Sequence, residues 1–349
     1  MSGARRALVT GGSGYFGSLL VTQLLRRGCA VRVFDLEDAS DRAPSVEFLR
    51  GDIRDPARVR EAVQDVDVVF HNVAQVPLAR DRHLFQSVNV DGMAVLLGAC
   101  EDAGVGKIVA TSSSAVFGVP AENPVRERSP AKPVEAYGRA KLAAEQLCLA
   151  AMSRGMDVTI IRPRTILGHG RLGIFGILFD WITDGVDVFV LGRGANRYQF
   201  VHAEDLADAC IRAGERAGAS VYNIGAQEFG TMRESLESLC AYAGTGARVR
   251  SLPARPAMAA MQATARLGLT PFAPYHWIMY GESLYFDTTA AIQDLGWTSK
   301  WSNEEMLAQS YDWYVAHRDA ISTSGGSAHR TLVKQGLLSL TKTLVRLAP

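Results

Sequence analysis

Apolar residues recur along this chain in two alternating rhythms. Short apolar runs at 7–10, 30–35, 47–50, 66–72, 107–111 and 157–162 read as buried strands. Between several of them apolar positions return every three or four residues, notably at 15–27, 84–103 and 137–154, which read as helices. In the first of these, Leu19, Leu20, Val21, Leu24 and Leu25 carry the stripe. Strand and helix in alternation predict an α/β chain, a doubly wound parallel sheet covered on both faces. After Arg162 the rhythm breaks, then resumes in short elements near 187–191, 203–213 and 221–224. The stretch 252–280, rich in Ala, Met, Pro and aromatics and poor in charge, predicts part of a smaller C-terminal α/β lobe for a substrate. The division expected is 1–165 for the main sheet, with returns from about 198–225, and 166–318 for the lobe.

Beyond the lobe the pattern changes again. Residues 319–330, with a Ser/Gly-rich centre from Ser322 to Ala328, read as a linker. In 331–349, Val333, Leu337, Leu340, Leu344 and Leu347 alternate spacings of four and three, accompanied by Lys334, Lys342 and Arg346. That is a basic amphipathic helix. It suits either an anionic membrane surface or a fold-back onto its own domain or a partner.

Between the first strand and the first helix lies Thr10-Gly11-Gly12-Ser13-Gly14-Tyr15-Phe16-Gly17. Gly11 allows a sharp turn off the strand, Gly14 lets backbone approach a pyrophosphate, and Gly17 lets the helix pack close to the sheet. The new helix then offers free N–H groups and its dipole to phosphate. This is the dinucleotide-binding arrangement of a Rossmann domain. The second strand ends in Asp35, about 20 residues past the glycines, where a carboxylate meets the ribose hydroxyls. Leu36, Glu37 and Asp38 follow, with no arginine for a 2′-phosphate, so NAD is predicted over NADP.

Charge narrows the partners. With 37 basic and 36 acidic residues the chain carries no overall field, and no nucleic-acid partner is predicted. Five scattered cysteines without metal-ligand spacing read as small apolar residues of a reduced compartment, and no metal is predicted. The chain enters its first strand at once and has no apolar run of membrane-spanning length, which predicts a cytoplasmic protein, with surface membrane association through the tail as an option.

The chemistry-bearing pair is Tyr137 and Lys141, four residues apart and so on one helix face. A phenol with a pKa of about 10 is a poor base at neutral pH, and a neighbouring cation lowers it. So tuned, a tyrosine exchanges an alcohol proton while hydride moves to or from a nicotinamide. Upstream, Thr111-Ser112-Ser113-Ser114 crowds hydroxyls at a strand's carboxyl end, where doubly wound sheets take ligands.

Together these residues resemble the extended short-chain dehydrogenase/reductase family, also called the NAD-dependent epimerase/dehydratase family, over roughly residues 6–318. Four further segments carry the likeness: Gly51-Asp52-Ile53-Arg54-Asp55, His71-Asn72-Val73-Ala74-Gln75, Asn89-Val90-Asp91-Gly92 and Phe200-Val201-His202-Ala203-Glu204-Asp205-Leu206. The resemblance implies NAD as cofactor and Tyr137 as general acid/base. It implies Lys141 as its pKa-lowering, ribose-binding partner. It places the catalytic hydroxyl on Ser113, or on Ser112 or Ser114 if the register slips. It implies cofactor contacts from Gly11, Ser13, Gly14, Tyr15, Phe16, Gly17, Asp35, Asp52, Ile53, Val73, Ala74, Asn89, Tyr137, Lys141 and Pro163, with Asn89 also supporting the active-site helix. It also implies a homodimer through the helices at 84–103 and 137–154.

For the substrate, nucleotide-sugar members carry an asparagine where this chain has Arg164-Thr165, and a phosphate arginine about one residue from Arg197. Between Leu267 and Ala316 no arginine occurs, so a pyrophosphate would miss its strongest contacts there. Arg162-Pro163-Arg164-Thr165-Ile166-Leu167-Gly168 and the apolar stretch 258–280, with Met258, Met261, Trp277 and Met279, instead resemble the 3β-hydroxysteroid dehydrogenase branch. That resemblance implies hydride transfer on a hydrophobic, sterol- or lipid-like secondary alcohol or ketone. Met258, Met261, Trp277 and Met279 equally suit a core or a dimer interface. The alternatives are a nucleotide-sugar epimerase or dehydratase with tightly held NAD, and a non-catalytic NAD-binding regulator.

Overall fold

The computed structural model describes residues 5–76, 83–270, 278–321 and 342. Six strands come first: β1 (Arg6–Thr10), β2 (Ala30–Asp35), β3 (Glu47–Arg50), β4 (Val68–His71), β5 (Lys107–Thr111) and β6 (Val158–Pro163). The chain then makes β7 (Thr165–Leu167), β8 (Val188–Leu191) and β9 (Phe200–His202), returns as β10 (Ser220–Ile224) and leaves again through β11 (Val249–Leu252). Seven strands form one sheet in the order β3-β2-β1-β4-β5-β6-β10, parallel throughout. Two small parallel pairs, β7 with β9 and β8 with β11, lie outside it. This is a Rossmann-like α/β fold.

The helices in chain order are α1 (Tyr15–Arg26), α2 (Pro56–Ala62), α3 (His83–Gln86), α4 (Gly92–Ala103), α5 (Ala136–Ser153), α6 (Phe175–Thr183), α7 (Ala203–Glu215), α8 (Met232–Ala243), α9 (Ala254–Arg266), α10 (Thr289–Leu295) and α11 (Asn303–Ile321). Central strands read as unbroken apolar runs because both faces are covered. Leu20, Leu24, Leu206, Cys210 and Trp297 pack on one face, and Val59, Leu96, Cys100, Ala144 and Cys148 on the other. A separate core of Phe179, Trp181, Val190, Leu236, Met306 and Tyr314 joins α6, β8, α8 and α11.

Two expectations need correction. The helix expected at 84–103 is three pieces: α3, a π turn at Ser87–Asp91, and α4. Apolar periodicity reports which face is buried, and a π turn changes the hydrogen-bond ladder without erasing that face. In the 252–280 stretch, α9 buries no residue, so Met258 and Met261 do not belong to the core, whereas Met279 does. Trp277 lies outside the described residues, as does the linker from 322 and, but for Lys342, the tail.

Candidate active site

All seven parallel strands point their carboxyl ends to one edge, and the predicted residues gather there. Gly11 adopts φ +72°, and a methyl on it would stand 3.0 Å from the Val73 nitrogen, so the first turn lies directly against the loop after β4. A methyl on Gly17 would run into the Gly11 carbonyl, which is why α1 starts so close to β1. Gly12, not singled out from the sequence, faces the Val33 side chain, which a methyl would meet at 2.7 Å. Gly14 caps α1 with no side-chain acceptor, leaving the helix's first N–H groups for a ligand. The Ser13 N–H donates to Asp35 Oδ2 (3.0 Å) and the Leu36 N–H to Oδ1 (2.7 Å). Burial raises the Asp35 pKa above its usual range, against these hydrogen bonds, which lower it. Arg42, further along the same loop, is held by Asp38 (2.7 Å). Tyr15 is buried at the start of α1, and Phe16 packs against the core of that face.

Other predicted cofactor residues line the same edge. Asp52 pairs with Arg54 (2.5 Å), whose guanidinium holds its carboxyl below the usual range. Ile53 is buried against Gly92, where any side chain would collide with it. Val73 and Ala74 sit half-buried in the loop after β4. Asn89, in the π turn, grips that loop twice: its Oδ1 accepts from the Gln75 N–H (2.7 Å) and its Nδ2 donates to the Gln75 carbonyl (3.1 Å). These bonds brace the loop after β4, where the expectation was support of the active-site helix. Pro163 closes β6, in register with Ile224 of β10.

Tyr137 enters α5 at its first turn. Glu135 caps that turn, accepting from the Tyr137 N–H (2.7 Å) and the Gly138 N–H (2.5 Å), and Phe85 meets the Tyr137 ring edge-on at 6.1 Å. Lys141 is buried, and its ammonium donates to the Thr111 carbonyl at the end of β5 (2.7 Å). Burial lowers its pKa to about 8, opposed by the neighbouring Glu145 and Cys148. Burial, with the Lys141 charge added, lowers the His71 pKa to about 3, so His71 is neutral there; its Nδ1 meets Thr10 Oγ1 at 2.8 Å. Ser113 caps the short 3-10 helix Ser114–Phe117, its Oγ accepting from the Ala115 N–H (3.2 Å). The flanking hydroxyls are engaged elsewhere. Ser112 donates to Glu145 (2.5 Å), and Ser114 accepts from Arg164 (2.7 Å).

The glycine-bounded helix start and the acid ending β2 form a cradle that fits a dinucleotide. The model of the NAD dependent epimerase/dehydratase family matches residues 7–225. The chain belongs to that family. As a member it is an NAD-dependent enzyme. It is 51% identical to an uncharacterized protein, y4nG, of Sinorhizobium fredii (strain NBRC 101917 / NGR234) over 99% of this chain and 87% of that one. It is 34% identical to the human sterol-4-alpha-carboxylate 3-dehydrogenase, decarboxylating, over 61% of this chain and 58% of that protein. Among solved structures it is similar to the DesIV double mutant, a dTDP-glucose 4,6-dehydratase from Streptomyces venezuelae with NAD and DAU bound. There the TM-score is 0.73 at 27% identity, covering 90% of this chain and 98% of that one.

Four charged residues of this epimerase/dehydratase member escaped the role assignment from sequence. Glu135 has a local signal, an acid just ahead of a helix's first turn. Glu145 follows Lys141 by four residues on α5 and forms a buried bidentate pair with Arg162 (2.9 and 2.6 Å), whose guanidinium stacks on Phe117. Arg171 lies over the Tyr15 ring at 5.5 Å, and burial lowers its pKa to about 10 despite the nearby Tyr15 and Tyr137. Arg164 is 1% exposed, close to Ser114, Tyr198 and Phe286. Among the described residues, no helix is long and apolar enough to cross a membrane, and no cluster of three His, Cys, Asp or Glu side chains is placed to hold a metal ion.

Proposed function

We propose that the protein is a dehydrogenase/reductase that transfers hydride between NAD(H) and a secondary alcohol or ketone of a hydrophobic, sterol- or lipid-like substrate. The observation that carries this reading is the apolar cluster Val116, Phe117, Val125, Met279, Leu284 and Phe286, which abuts the turn holding Ser113. An apolar cluster packed beside the catalytic hydroxyl supports a lipid-like substrate body with few polar groups. The likeness to a sterol dehydrogenase supports the same direction.

NAD, held by the glycine turn and Asp35, supplies hydride acceptance when bound. Ser113 holds the substrate oxygen, and Tyr137 removes its proton as the carbinol hydrogen departs with its electron pair. Lys141, cationic below about pH 8, favours the ionised phenol. Glu135 fixes the helix turn from which Tyr137 projects. In the reverse direction Tyr137 returns the proton to the new alkoxide.

A second reading, nucleotide-sugar epimerisation or dehydration, has one observation in its favour. Arg197 is exposed and stacks between Phe229 and Tyr285 at 4.7 Å from each ring, near where a phosphate arginine is expected. The deciding experiment supplies NAD with hydrophobic secondary alcohols in one series and UDP- or GDP-sugars in another. NADH accumulating with a lipid alcohol supports the dehydrogenase; a changed sugar nucleotide without NADH overturns it.

A homodimer through α4 and α5 belongs to this reading, supported by Leu149, left 44% exposed on α5. For the tail, Lys342 places its ammonium 2.5 Å from Asp180 and 2.8 Å from Asp184, which supports fold-back over attachment to a membrane.

A further inference from the structure

Arg164 stands one residue past Pro163, at the sheet edge where the site lies. Its guanidinium is buried, yet it has no carboxylate partner among the described residues, whereas Arg162, two residues earlier, has Glu145. Nη1 donates to Ser114 Oγ (2.7 Å), while Nε and Nη2 have no acceptor among the described residues. Stacking on Tyr198 (4.8 Å) and Phe286 (5.8 Å) offsets part of the cost of a buried charge. It leaves two donor nitrogens unmet, and that cost is seldom retained without a use.

Which nitrogens are unmet matters. Nε and Nη2 form one edge of the guanidinium, two N–H groups side by side, and that fork matches the two oxygens of a carboxylate. The surroundings bridge the site and the C-terminal elements: Ser114 adjoins Ser113, and Phe286 belongs to the apolar cluster of Val116, Phe117, Met279 and Leu284. An apolar wall with one forked cation selects an apolar acid.

We propose that the Nε/Nη2 edge of Arg164 receives a substrate carboxylate, so that the substrate is a hydrophobic hydroxy or keto acid. This rests on the alcohol/ketone reading above and names its substrate class. Both nitrogens are shielded from solvent, so the acid reaches them when Tyr198 or Phe286 turns aside.

The test compares 3-hydroxydodecanoic acid, whose carboxylate lies close to its hydroxyl, with its methyl ester, using NAD-loaded wild type, Arg164→Met and Arg164→Lys and reading NADH formation. Wild type is expected to prefer the acid over its ester by at least about 100-fold in kcat/KM. Arg164→Met brings the ratio to about one. Arg164→Lys keeps the charge but not the fork, and serves should the Met variant fail to fold; it too loses most of the preference. Calorimetric binding of the acid to each NAD-loaded variant should weaken in parallel. If Arg164 is only a stacked core residue, Arg164→Met folds at least as stably and the ratio does not move. An unmoved ratio, or a wild type that turns over ester as well as acid, overturns the carboxylate site while leaving hydride transfer standing. Failure of every lipid alcohol, with a sugar nucleotide altered instead, overturns the underlying reading and the site with it.

Discussion

Gly17 illustrates how completely local geometry dictates some positions. Any side chain there meets the Gly11 carbonyl, a backbone atom that cannot swing away. Gly17→Ala is therefore expected to cost about 1–3 kcal/mol in urea denaturation and to weaken NAD binding in calorimetry, since helix and turn must separate. Tyr137→Phe should behave oppositely: NAD still binds, but NADH formation falls by about 100-fold or more, because the proton has no acceptor. Retained turnover in that variant removes Tyr137 from the chemistry. Gly17 was legible in the sequence because it answers to the turn a few residues before it, and Asp35 because it ends a strand at a recognisable interval past that turn. Glu145 was not. Its partners Ser112 and Arg162 lie 33 and 17 residues away, and only the folded sheet brings them together.

On α5, Tyr137, Lys141 and Glu145 follow at intervals of four, so one helix face aligns the phenol, the ammonium and a buried carboxylate. The groups facing Lys141 are Glu145 and Cys148 from its own helix, His71 from β4 and the Thr111 carbonyl from β5, with Arg162 of β6 behind Glu145. Burial has already brought the Lys141 pKa down to about 8, so the rate of alcohol oxidation should decline as pH rises through that value and the ammonium is lost. Glu145 opposes the depression. Glu145→Gln should therefore move the decline to lower pH, visible in a pH–rate profile; an unmoved limb would dissociate Glu145 from Lys141. At this scale the sequence showed that residues 84–103 have a buried helical face, but not that the π turn interrupts the ladder. Side-chain pattern does not encode which carbonyl an N–H selects.

Across the whole molecule, α7 is tied to the segment beyond α10. The Trp297 indole donates to the Asp205 carbonyl and the Lys300 N–H to its carboxylate, both at 2.9 Å. Burial raises the Asp205 pKa to about 6. Below its unfolded value near 4, folded and unfolded chains both hold that proton; between about 4 and 6 only the folded chain does. The stability Asp205 contributes is thus present at acid pH and lost as pH rises through about 6. Asp205→Asn, neutral throughout, should gain on wild type by about 1–3 kcal/mol between pH 4 and 7 in paired urea titrations, and a constant difference refutes the assignment. The alternating rhythm revealed the main sheet, since buried parallel strands are apolar without interruption. The short strands β7, β9 and β11 left too brief a pattern to read. The return of β10 to the sheet has an engineering corollary. Residues around β7 to β9 and those beyond β10 both contribute to the C-terminal elements, so those elements hang from the sheet by more than one tether. No single cut excises them, and a chimera grafting new specificity onto this dinucleotide scaffold must exchange two separate stretches of chain at once.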